Sequence, residues 1–151
     1  MKKLSIIIIT IIITGCSKEN KEINIIKKFL NEIELNKEFD FFESKKFIEY
    51  NYLDSEKEKK ISLLINENIK ILKKQISECE SYKILTHKQL LKNKLKLNFT
   101  YNDYSRVYHL IDNNNSVITT FIFGSKGIIS FSYNIIKNKN KHRTPLLLNN
   151  L

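Results

Sequence analysis

The run from Leu4 to Ile13 is apolar apart from Ser5 and Thr10, with Lys2 and Lys3 before it and Cys16 soon after it. A bilayer-spanning helix needs about 20 apolar residues, whereas the apolar core of a secretory signal needs about 7–15. A run of this length therefore reads as a cleavable signal, and the folded body has to come from the residues that follow it.

The residues after the run sharpen that reading. Ile13-Thr14-Gly15-Cys16 is a branched apolar residue, a small residue, a glycine and a cysteine in order. The segment resembles the lipobox of bacterial lipoproteins, departing from the commonest pattern only in Ile13, where Leu is more usual. The resemblance covers residues 1–16. It implies a diacylglyceryl group on the Cys16 sulfur, cleavage just before Cys16, and a mature protein held at the bacterial cell envelope through that lipid. Ser17, in place of Asp, implies the outer membrane facing the periplasm in a cell with two membranes, and otherwise the outer face of the cell membrane. One acyl chain, at about 0.8 kcal/mol per buried methylene, holds only marginally, so two or three chains on Cys16 are what make release negligible. Ser17 to Glu22 are polar and lack aromatics, so residues 16–22 read as a lipidated tether.

Removing residues 1–15 takes Lys2 and Lys3 from the 26 basic side chains and none of the 16 acidic ones, so the net charge falls from +10 to +8. The remaining 136 of 151 residues, in a chain that is 42% hydrophobic, suffice for one domain with its own core. The positive charge is almost all lysine, since Arg106 and Arg143 are the only arginines. Bidentate contacts to phosphate or guanine would be scarce, which together with export argues against nucleic acid as a partner. The excess of Lys, Ile and Asn has the look of an A/T-rich coding sequence; the functional alternative is attraction to an anionic lipid surface or an acidic envelope protein partner. With Cys16 committed to lipid, Cys79 is left without an intramolecular disulfide partner, and its place on an apolar helix face makes it a buried, inert thiol.

Ile23, Ile26, Phe29, Leu30 and Ile33 recur at helical spacing over 21–35, and Phe39 to Tyr52 suggest a second, shorter helix. Ser55 and Glu58 have capping-box spacing at the head of a long helix over 55–80. Its stripe is Ile61, Leu64, Ile65, Asn68, Leu72, Ile76 and Cys79, widened by Leu63, Ile69 and Ile71, as suits a helix lying across a sheet. Residues 82–86 are β-prone, and the Lys- and Leu-rich stretch 88–97 fits either a helix or a strand, the alternation of Leu95, Leu97 and Phe99 with Lys94, Lys96 and Asn98 favouring the strand. A three-stranded meander follows over 105–135, turning at Asp112-Asn113-Asn114-Asn115 and at Gly124-Ser125-Lys126-Gly127, with Ile129, Phe131, Tyr133 and Ile135 on one face of its last strand. The tail from 137 is basic and then apolar at Leu146-Leu147-Leu148, able to dock or to stay loose.

Helices first and antiparallel strands afterwards make an α+β fold, a single domain over 23–136 with the helices on one sheet face. The order of elements is similar to that of the cone-shaped nuclear-transport-factor-like and cystatin-like folds. That resemblance implies a pocket between helices and sheet, used by different members for small ligands, catalysis or pairing. It does not choose among those uses.

Little in the chain carries chemistry. His109 and Asp112 are the nearest approach to an acid–base pair, although strand alternation separates odd from even positions and Asp112 is already suited to opening the turn. Tyr104, Arg106 and Tyr108 would share the opposite face, which either packs against a helix or another chain or stays open to read an anionic or aromatic ligand by cation–π contact and stacking. His87 and His142 have no companion at ligand spacing, and the chain has neither HExxH nor CxxC, so neither a metal nor another cofactor is expected. Gly124 and Gly127 suit a hairpin turn and not a phosphate loop. The reading is a membrane-anchored, non-enzymatic binding module of the envelope that uses the sheet face around Tyr104, Arg106, Tyr108 and His109. The alternatives are a pocket protein, small-ligand-binding or enzymatic, centred on His109, and an anchored immunity or inhibitor protein.

Overall fold

Helices precede an antiparallel sheet, as the order of periodicities implies. The computed structural model describes the backbone of residues 2–50, 55–95, 100–131, 135–137, 143–145 and 147–148, and the side chains of 18–50, 55–95, 100–131 and 147–148. Helix α1 (Lys2–Leu35) is longer than the 21–35 segment that the apolar spacing marks. Ile26, Phe29, Leu30 and Ile33 form its fully buried stripe, and Glu22, one turn earlier on the same stripe, is only 4% exposed. The packed body thus begins at Glu22, inside the span read as tether. At the other end of α1, the Lys73 ammonium donates to the Asn36 carbonyl at 3.1 Å, a cation at a helix C-terminus.

The second helix is a single turn, α2 (Phe41–Ser44), and does not reach Tyr52. Asp40 caps it, accepting from the Phe42 and Glu43 N–H groups at 2.8 and 3.1 Å. Beyond Ser44 the chain is drawn out to pair with the sheet: Ile48 bridges Ile128 in parallel, with Glu49 N–H donating to the Ile128 carbonyl at 2.8 Å and Ile128 N–H to the Phe47 carbonyl at 2.9 Å. Those sheet bonds outcompete helix propagation.

Helix α3 (Ser55–Ser77) buries Ile61, Ile65, Asn68, Ile69, Leu72 and Ile76, with Leu64 and Cys79 packed at the margin. Leu63 and Ile71 do not widen the stripe and stand 60% and 50% exposed. Ser55 is itself helical, and Glu58 reaches across to Lys45 at 2.8 Å, bracing α2 against α3. The Asn66 side-chain oxygen supports the same contact by accepting from Phe41 N–H at 2.7 Å.

The main sheet has the order β1-β2-β3-β4, antiparallel throughout, from β1 (Tyr82–Thr86), β2 (Val107–Asp112), β3 (Val117–Phe123) and β4 (Ile128–Ser130). Part of the strand expected within 88–97 is instead helix α4 (His87–Lys92). Thr86 and Gln89 form its capping box: the Thr86 hydroxyl accepts from Gln89 N–H at 3.3 Å, and the Gln89 side chain accepts from Thr86 N–H at 2.9 Å. Leu97 and Phe99 lie outside the described residues. The expected last strand is divided. β4 ends at Ser130, Tyr133 lies outside the described residues, and β5 (Ile135–Lys137) pairs with β6 (Arg143–Pro145) in a separate two-stranded sheet. Ile129 and Phe131 do not share a face: Phe131 joins the core under the helices, and Ile129 packs with Val107 and Ile122 in a second cluster.

Phe29 is the hub of the main core, meeting Phe39, Phe47, Phe121 and Phe131 edge to face at ring separations of 5.7, 5.5, 6.1 and 5.1 Å. Strand alternation sends Tyr108, Leu110, Phe121 and Phe123 into this core. The space between helices and sheet is therefore filled with aromatic and aliphatic side chains.

Candidate functional site

The strand face expected to be open at Tyr104, Arg106 and Tyr108 is closed. β2 starts only at Val107, so Tyr104 and Arg106 belong to the single 3₁₀ turn Tyr104–Arg106 that leads into it. Tyr108 is buried under α1. Its hydroxyl donates to Glu22 Oε2 at 2.7 Å, while Arg106 donates to Glu22 Oε1 from Nε at 2.8 Å and also from Nη2. Burial first, and the Glu22 carboxylate second, push the Tyr108 phenol well above its ordinary range, so it remains a donor. Arg106 and Tyr108 thus form a clamp on the first turn of α1 that enters the body.

His109 points through the opposite face of β2 and is completely buried. It does not engage Asp112, whose carboxylate accepts from Ser116 N–H at 2.7 Å and holds the β2–β3 turn. Its Nδ1 lies 2.9 Å from the Thr120 hydroxyl on β3, directly across the strand pair, and its Nε2 lies 3.3 Å from Nδ1 of His87. His87 is the first residue of α4, and its ring stacks on Tyr104 with centroids 3.9 Å apart and planes 17° from parallel. Tyr104 is fixed in turn, its hydroxyl accepting from Tyr101 N–H at 2.8 Å.

Sequence reasoning missed the His87 partner because the two histidines are joined only by the β1–β2 register, which sets Leu85 opposite His109. The Thr86-His87-Lys88-Gln89 capping signature was the available signal, since it starts a helix where a strand was expected. Glu22 was missed as well. Its signal is an acid one turn ahead of Ile26 on an otherwise apolar stripe.

Electrostatically the histidine pair favours neutrality. Desolvation lowers His109 to about 4, with His87 adding a smaller push the same way, and burial also lowers His87. With both rings neutral, one proton sits between the facing nitrogens; with two, the rings would oppose N–H to N–H. Both nitrogens of His109 are occupied, so it has no free atom with which to meet a substrate. Among the described residues no group of three or more His, Cys, Asp or Glu side chains is placed to hold a metal ion. Cys79 is part-buried, with its thiol pushed up by desolvation and then by Asp112 and Glu78.

No protein-family model, curated protein or solved structure matches the chain.

Proposed function

We propose that the chain is a bacterial lipoprotein, attached to the cell envelope through lipid on Cys16, whose α+β body binds a partner and does not catalyse a reaction. The observation that carries this reading is the ordered N-terminal pattern: Lys2-Lys3, the apolar run and Ile13-Thr14-Gly15-Cys16. Among the described residues no helix is long and apolar enough to cross a membrane, so lipid on Cys16 would supply the attachment.

The geometry adds two points of support. Cys16 precedes Glu22 by six residues on α1, which is about 9 Å of helix. The lipid would join the body through a stub whose base Arg106 and Tyr108 grip. The second point concerns catalysis: the interior between helices and sheet is packed around Phe29, and His109, the residue a pocket enzyme would use, is enclosed and fully bonded. Replacing Cys16 with Ser in the producing cell should leave an uncleaved precursor that is lost from its normal membrane fraction. Normal cleavage and normal attachment of that variant would defeat the proposal.

A further inference from the structure

A cleft of about 450 Å³ opens between α1 and the β3–β4 turn, away from the histidine pair. Ile25, Lys28, Asn31 and Glu32 line one wall at helical spacing, and Lys46, Phe47, Lys126 and Gly127 line the other. Three lysines thus come from three separate segments of chain, against one acidic residue in the lining. Lys46 already engages Glu32 at 3.2 Å and Glu43 at 3.5 Å. Neither Lys28 nor Lys126 has an ion pair among the described residues.

The wall carrying two of the lysines is rigidly built. Glu49 accepts from Lys126 N–H at 2.6 Å, Gly127 N–H at 3.1 Å and the Ser125 hydroxyl at 3.1 Å. Burial alone would raise the Glu49 carboxyl, but these donors, with the charge of Lys126 as a smaller contribution, outweigh it and hold it below its ordinary value. The Phe47 carbonyl and the Glu49 N–H are both tied to Ile128. Gly127 is required by this closeness, because a Cβ there would lie 2.6 Å from the Phe47 carbonyl oxygen. The Glu49 carboxylate is spent on fixing the turn that bears Lys126.

We propose that this cleft binds a small ligand bearing a phosphate group, with the anion between Lys28 and Lys126 and its less polar part over Ile25 and Phe47. The volume is that of an ordinary small-molecule site, and polar groups at the edge of an apolar floor are how such sites orient a ligand. The phosphate could belong to a soluble molecule or to an anionic lipid headgroup, and the cleft chemistry is the same for both. The inference does not depend on lipid at Cys16.

The test uses the full chain in neutral detergent micelles, titrated with inorganic phosphate and separately with micelles containing phosphatidylglycerol, following the amide resonances of Asn31, Phe47 and Gly127. Saturable shifts at these amides are expected with at least one probe. Phosphate alone sufficing would assign a soluble ligand, and a response only to phosphatidylglycerol would assign a headgroup. Lys28→Gln with Lys126→Gln should weaken binding about tenfold, since two near charges are lost. Lys88→Gln with Lys92→Gln, which removes equal charge from α4 across the sheet, should leave it unchanged. Both substituted lysines are exposed, so the core amides should keep their positions in the variant. Absence of shifts with both probes, or equal weakening by the α4 control, would overturn the proposal.

Discussion

Two buried polar residues, Glu22 and His109, set the chemistry of this molecule at the scale of single side chains. His109 is lowered from 6.5 to about 4. Between those values the unfolded chain binds more protons than the folded one, so the stability from neutral His109 is fully present above pH 6.5 and is lost as pH falls through 4. The expected loss is on the order of 3 kcal/mol. Urea unfolding at pH 7 and pH 5 should show about 2 kcal/mol of it, the rest being lost below pH 5, and His109→Gln should flatten the dependence; an unchanged slope in that variant would contradict the assignment. Glu22 makes a different demand. Arg106→Met leaves its carboxylate enclosed with Tyr108 as its remaining donor in the clamp, which should destabilise the fold by about 2 kcal/mol. Adding Glu22→Gln should restore part of that loss, whereas additive costs in the double-mutant cycle would mean that the two groups do not act as a pair.

Elements were legible in the sequence where one local pattern decided them. The stripe from Ile61 to Ile76 gave α3, and Asp112 opened the β2–β3 turn as its side chain allows. They were illegible where a distant partner decided. Residues after Ser44 leave the helix because Ile48 pairs with Ile128, eighty positions away, and Leu63 and Ile71 are apolar yet face outward because α3 is covered on one side only. Alternation near Leu95 hid the stronger local signal at Thr86 and Gln89, which starts α4. Thr86→Ala should cost about 1 kcal/mol by removing that cap. Because His87 is the first residue of α4, the same substitution should also reduce the pH dependence described for His109. Equilibrium unfolding of the variant at the two pH values measures both effects, and a variant matching the parent in both would show that the cap does not hold His87 in place.

For the whole molecule, the α+β class followed from helix periods giving way to strand periods, and the structure has that order. The candidate site did not follow, since both the histidine pair and the Glu22 clamp join residues that meet only after the sheet has formed. The resulting body has a filled interior, a lysine-lined cleft on its outside and a gripped helix stub leading back to Cys16. The most direct check is the intact mass of the protein extracted from its native membrane. A chain beginning at Cys16 and carrying two or three acyl chains is the expected result; an unmodified chain that still retains residues 1–15 would contradict it.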